Sequence, residues 1–212
     1  MPAIEAAIFA GVPINVTLLF SREQYFGAAE AYLRGIERRI EAGLDPAVAS
    51  VASLFVSRWD VATAGKSPAE LSNRLGIAVA HRTYQAYLEL LTSPRFLRIA
   101  NAGARPQRLL WASTGTKDSK ASDILYVKAL AAPFTVNTMP EATLKAFAQH
   151  GEMLTPEGGD CEKVLAAFDK TGIDIDALAK RLQDEGAASF DKSWNDLMAC
   201  IESKSAVIRK AS

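Results

Sequence analysis

The 212-residue chain is poor in the side chains that most often announce chemistry. It has two cysteines, Cys161 and Cys200, and two histidines, His81 and His150. Two distant thiols exclude a disulfide framework and any common zinc-ligand spacing, and they fit reduced cysteines in a cytosolic protein. Each histidine falls in a helical pattern far from other ligand types, which suits packing or a helix surface. Charge of one sign is also missing. Lys plus Arg and Asp plus Glu number 24 each, so the formal net charge is zero. That removes the electrostatic case for general nucleic-acid or membrane-surface binding. No window approaches the roughly 18 apolar residues of a membrane-spanning helix. The apolar first twenty residues lack the basic start of a secretion signal and carry Glu5. A soluble, cytoplasmic protein is expected.

What is present is an alternation of short apolar strands and amphipathic helices. Hydrophobic residues make up 49% of the chain, enough for a substantial core. "PAIEAAIFA" (2–10) reads as a short helix stopped by Gly11. "GVPINVTLLFS" (11–21) reads as a strand, with Ile14, Val16 and Leu18 on one face and Asn15, Thr17 and Leu19 on the other. Ser21 then caps a helix to Gly43, with Gln24 in the capping-box position. A second strand is expected over 48–57. Ser67, Pro68 and Glu70 mark the start of a long helix that reaches Thr92. A further helical piece follows Pro94, then strands over 107–113 and 134–138. Helices are expected around 122–130, 140–151 and 161–172, with a long one from about Asp174. Gly186 is a candidate weak point in that last helix. Strand–helix alternation implies βαβ units and a parallel sheet. The expected organisation is a barrel portion over 1–150, with the C-terminal helices of 151–212 packed on the same domain.

Parallel strands are buried on both faces, so polar side chains at their ends need a reason. Asn15 and Thr17 lie on the first strand. Ser53 lies on the second, with Phe55 beside it and Ser57 and Arg58 just beyond. The third ends at Ser113, before a turn with Thr116 and Lys117. The fourth carries Asn137 and Thr138. Ligands of α/β sheets and barrels bind at such carboxyl ends. Hydroxyls, amides and two cations gathered there suit a phosphorylated polyol. Blander readings stand beside this one. Asn15 and Thr17 could bond each other or a buried water, Ser53 could be packing, Arg58 could pair with Asp60, and Lys117 could be a solvated turn residue.

"INVTLLFS", "VASVASLFVSRWD", "RPQRLLWASTGTK" and "TVNTMPEATLKAFAQHG", in this order, resemble transaldolases. The particular likeness is to the long bacterial branch, also found fused to phosphoglucose isomerase. It runs from Pro2 to at least Lys204. The resemblance implies a TIM (β/α)8 barrel of the class I aldolase type. It implies transfer of a three-carbon dihydroxyacetone unit between sugar phosphates in the pentose phosphate pathway, through a lysine Schiff base. The sugar phosphates would be sedoheptulose 7-phosphate, fructose 6-phosphate, glyceraldehyde 3-phosphate and erythrose 4-phosphate. Asn15 matches the asparagine that bonds the dihydroxyacetone unit, and Thr17 the threonine that positions the working water. Ser53 and Phe55 match active-site residues of the next strand. Arg58 and Ser113 match phosphate ligands. Many transaldolases carry a second phosphate arginine where Gly115 stands, and Lys117 is the candidate replacement.

The resemblance covers the C-terminal part of the family alone. The Schiff-base lysine, a proton-shuttling aspartate, a glutamate and one asparagine of the family would precede Met1. No lysine occurs in the first 65 residues. Four strand candidates at about 40 residues per unit make half of an eight-unit barrel. Three outcomes are then expected to compete: an inactive truncated chain, pairing with an N-terminal half-barrel, and a homodimer. The non-catalytic alternative is a half-barrel that at most binds sugar phosphate or another chain.

Overall fold

The computed structural model describes residues 1–151 and 160–211. The order is α1 (Pro2–Phe9), β1 (Ile14–Leu19), α2 (Arg22–Glu41), β2 (Ser50–Phe55), α3 (Ser57–Thr63), α4 (Leu75–Thr92) and α5 (Pro94–Asn101). β3 (Gln107–Ala112), α6 (Leu125–Ala129), β4 (Thr135–Asn137), α7 (Glu141–His150), α8 (Cys161–Asp169) and α9 (Ile175–Ala211) complete it. The strands form one parallel sheet in the order β1-β2-β3-β4. This is the expected α/β class, with sequential strands side by side.

One sheet face is covered by helices. Val16, Leu19, Ala52, Leu54, Leu109 and Trp111 pack there against Tyr25 and Ala28 of α2, Tyr87 of α4 and Tyr126 of α6. The other face carries Asn15, Thr17, Ser53, Phe55, Leu110 and Ala112, by alternation and register. Asn15 and Thr17 are exposed on it.

Simple alternation fails in β1. Val16 pairs with Ala52 but Leu19 with Leu54, so the register slips by one residue between them. Leu18 takes a left-handed φ of 57° at the slip. A bulge of this kind re-aims everything beyond it. Leu19 therefore shares a core with Val16, while Leu18 joins Phe20 in a second cluster with Trp59, Leu75, Leu165 and Leu182.

The helix expected from Ser67 also starts elsewhere. Ala69–Leu71 form only a 3-10 turn, Asn73 turns left-handed at φ 59°, and α4 begins at Leu75. The cap comes from another element. Asp60 Oδ1 on α3 accepts the backbone N–H groups of Leu75 at 3.0 Å and Gly76 at 3.3 Å. A buried carboxylate across the fold replaces the local serine as the acceptor for the free N–H groups of the first turn.

The other expected ends hold closely. Ser21 accepts Gln24 N–H at 3.1 Å, while the Gln24 side chain returns to Phe20 N at 2.7 Å. The break expected at Pro94 also forms, with Ser93, which the sequence reading did not single out, capping α5. The second strand ends at Phe55, and 57–63 is helical where the sequence suggested strand and loop. Gly186 does not weaken α9. It lies inside a continuous helix, and a Cβ there would sit 2.7 Å from Leu18 Cδ2. It is a close-contact point between helix and strand.

Candidate functional site

Polar residues within the strands and just beyond them are held in pairs across neighbouring strands. Ser53 Oγ donates to Asn15 Oδ1 at 2.6 Å. Ser53 is only 2% exposed, so its hydroxyl is fixed in place. That bond sets the orientation of the amide, because the oxygen faces Ser53. Among the described residues Asn15 Nδ2 has no hydrogen-bond partner, and the residue is exposed. Thr17 stands two residues further along β1, next to the bulge.

The ends of β2 and β3 are joined in the same way. Ser57 and Ser113 hydroxyls lie 2.8 Å apart, and Ser57 N–H donates to Ser113 O at 3.0 Å. Ser113 takes a left-handed φ of 56°, which turns the chain out of the strand. Arg58 follows at once on α3. Its guanidinium lies 5.1 Å from the centroid of the Phe55 ring. Stacking of this kind holds a cation without neutralising it. Phe55 is itself braced by Phe20, with ring centroids 5.5 Å apart.

An Arg58–Asp60 ion pair does not form. Asp60 Oδ1 caps α4, and its Oδ2 accepts the Tyr126 hydroxyl at 2.8 Å. Burial pushes the Asp60 carboxyl up to about 6, against the pull of these three donors. Burial and the neighbouring Asp60 carboxylate push the Tyr126 phenol well above its usual range. Among the described residues Arg58 has no carboxylate partner, so its charge is available to an anion.

Lys117 is exposed on the loop after β3. A Cβ on Gly115 would lie 2.9 Å from Pro140 Cγ and 3.7 Å from Lys117 Nζ. A side chain at 115 would therefore meet Pro140, and the Lys117 ammonium adjoins the same spot. Lys117 lines a cavity of about 400 Å³ together with Ser57, Asp60, Asn73 and Tyr126. The polar end of β4 is not part of this group. Thr114 donates to Asn137 Oδ1 at 3.2 Å and to Thr138 O, and Thr138 Oγ1 donates to Trp111 O at 3.0 Å. Those residues tie β4 to the β3 turn.

The structure therefore pairs Asn15 with Ser53 inside β1 and β2, and Phe55 with Arg58 and Ser57 with Ser113 at the carboxyl ends of β2 and β3; Asn15, the second residue of β1, lies toward the amino end of the sheet and not at the expected carboxyl end. Asp60, which organises α3, α4 and α6 beneath them, had no signal in the sequence beyond an acidic residue after an arginine. No strand carries a lysine among the described residues. No group of His, Cys, Asp and Glu there is arranged to hold a metal ion. No helix there is long and apolar enough to cross a membrane.

Comparison with known proteins gives a consistent answer. The family described as transaldolase/fructose-6-phosphate aldolase matches residues 1–201. The chain is 45% identical to a protein named transaldolase from Parafrankia, over 95% of this chain and 58% of that one. It is 45% identical to transaldolase 1 of Streptomyces avermitilis, over 95% of this chain and 56% of that one. Against the transaldolase of Mycolicibacterium smegmatis the identity is 45%, over 93% and 57%. The chain spans a little over half the length of these curated relatives. With a match that runs through all four strands and into α9, the chain belongs to the transaldolase/fructose-6-phosphate aldolase family.

Proposed function

We propose that this chain supplies the substrate-binding half of a transaldolase (β/α)8 barrel. The reaction is transfer of a three-carbon dihydroxyacetone unit between sugar phosphates in the pentose phosphate pathway. The observation that carries the reading is the Asn15 amide, fixed by Ser53 and otherwise without a hydrogen-bond partner among the described residues, in the same sheet unit as the Phe55-stacked Arg58 cation, which has no carboxylate partner among them. One suits a polyol hydroxyl and the other a phosphate.

The roles follow from position. Asn15 Nδ2 donates to a hydroxyl of the bound three-carbon unit, held ready by Ser53. Thr17 positions the water that takes part in Schiff-base formation and hydrolysis. Phe55 packs beside the substrate and steadies Arg58. Arg58 and Ser113 bind the phosphate, with Lys117 adding charge where Gly115 offers none. In the chemical step a lysine amine attacks the ketose carbonyl and water leaves. The iminium then accepts the electron pair of the breaking C–C bond. No metal or cofactor is required. The site is proposed to act in the cytoplasm on fructose 6-phosphate or sedoheptulose 7-phosphate as donor. Erythrose 4-phosphate or glyceraldehyde 3-phosphate is the acceptor.

The nucleophilic lysine is proposed to come from outside these 212 residues, since no strand here presents one. That same observation favours a second reading, in which the chain binds sugar phosphate without turning it over. The two separate by complementation. Co-expression with the unmatched part of the Parafrankia relative restores transaldolase turnover in the first reading. In the second, sugar phosphate binds and no turnover appears with either preparation.

A further inference from the structure

In the helical layer, α4, α6 and α8 line a cavity of about 310 Å³. It shares no residue with the strand-end group described above. Ile77 of α4, Leu125 of α6 and Val164 of α8 give it three apolar walls. Arg74, at the N-cap of α4, and His81 line it too. Positions 74, 77 and 81 follow the helical spacing that puts them on one face. Seven residues of helix set the two basic groups about 10 Å apart along that face, with Ile77 between them.

The walls are tied together by bonds that leave Arg74 and His81 out. Asp60 Oδ1 holds the first turn of α4, and its Oδ2 accepts the Tyr126 hydroxyl of α6. Arg82 Nε of α4 donates to Glu162 Oε1 of α8 at 2.8 Å. A cavity tied in this way is preformed, so a ligand meets little ordering cost. Its electrostatics favour an anion. The Arg74 guanidinium has no hydrogen-bond or ion-pair partner among the described residues. His81 Nε2 lies 3.0 Å from Ala129 O, and a carbonyl only accepts, so Nε2–H donates and holds the ring in one orientation. Asp160 also lines the cavity, but Lys163 takes up its carboxylate. Oδ1 accepts the Lys163 N–H at 3.1 Å, and Oδ2 pairs with Lys163 Nζ at 2.9 Å.

We propose that this cavity binds a small anion with an apolar body, an aryl or alkyl carboxylate or phosphate. The anionic group pairs with Arg74, whose planar fork offers two donors to either oxyanion. The apolar body lies along Ile77, Leu125 and Val164, with its far end toward His81. A sugar phosphate fits less well, because its hydroxyls would lose water against those three side chains without gaining partners there. The site is separate from the transfer chemistry proposed above and does not depend on the family reading.

The full chain carrying Arg58→Ala, which silences the proposed sugar-phosphate contact, is the test protein. It is titrated with 3-phenylpropionate, with phenyl phosphate and with the neutral 3-phenylpropanol. The chain has two histidines, so the His81 ring resonances can be followed by NMR, with His150→Gln assigning them. The expected result is a saturable shift of the His81 signals by at least one of the two anions, with a dissociation constant of about 1 mM or below. The alcohol binds roughly tenfold more weakly than its acid. Arg74→Ala weakens the anion about tenfold, while Arg98→Ala, at an exposed arginine on α5, changes it by no more than about twofold. Arg74 is exposed and its side chain caps nothing, so its loss leaves the fold intact. The proposal is overturned if neither anion moves the His81 signals. It is equally overturned if the alcohol binds as well as its acid, or if Arg74→Ala leaves the affinity unchanged. No turnover enters the readout, so failure of the transferase reading and failure of this one are told apart.

Discussion

The Ser53 hydroxyl donates to the Asn15 amide oxygen at 2.6 Å, from β2 to β1. The consequence is a direction: Asn15 must present its N–H groups outward. Replacing Ser53 with Ala frees the amide to rotate while removing one oxygen from the site. In the complemented enzyme, kcat/KM falls roughly tenfold through lost orientation. Circular dichroism stays unchanged, and Ser53→Thr, which keeps the hydroxyl, recovers part of the loss.

Arg58 carries a charge that no carboxylate neutralises among the described residues. Arg58→Ala is expected to weaken fructose 6-phosphate binding about 10- to 100-fold, the range for a lost charge-assisted contact. Calorimetric titration measures it. Arg58→Lys recovers little, because an ammonium cannot offer the planar fork that stacks on Phe55.

Asp60 gives the fold a pH dependence of definite sign. Its carboxyl is pushed up to about 6 by burial. The folded state therefore holds a proton that the unfolded chain has already lost above about pH 4. This group's contribution to stability is greatest below pH 4 and declines as pH rises through 6. Denaturant unfolding of the parent and of Asp60→Asn is the measurement. The stability of the parent relative to the variant drops by on the order of 3 kcal/mol between about pH 4 and pH 7.

Gly186 separates two opposed expectations. In an open helix, Gly→Ala stabilises by about 1 kcal/mol. Here the added Cβ would meet Leu18 Cδ2 at 2.7 Å. Gly186→Ala is expected to destabilise by about 1–3 kcal/mol, the usual cost of overpacking. Thermal unfolding decides the sign.

Much of the architecture was legible in the pattern of residues, and the failures have local physical causes. The strand–helix alternation, the Ser21 cap and the break at Pro94 depend on neighbours in sequence, and they form where expected. Ser67 fails as a cap because its competitor, Asp60, approaches only in the folded chain. Leu19 sits on the face opposite to the expected one because a single left-handed residue, Leu18, interrupts the alternation. Gly186 read as a weakness because its contact with Leu18 spans most of the chain length. At the candidate site, residue types drew attention to Asn15, Ser53, Arg58 and Ser113 among others, while the Ser53–Asn15, Phe55–Arg58 and Ser57–Ser113 contacts exist only in the folded chain. That Asn137 and Thr138 serve the β3 turn instead followed only from their bonds to Thr114 and Trp111.

The most direct test of the account is borohydride trapping with fructose 6-phosphate, read by intact-protein and peptide mass spectrometry. The chain by itself should show no reduced adduct. A preparation complemented with the unmatched part of the Parafrankia relative should carry one three-carbon adduct, on a lysine of that added part. An adduct on any lysine of the 212-residue chain would contradict the division of labour proposed here.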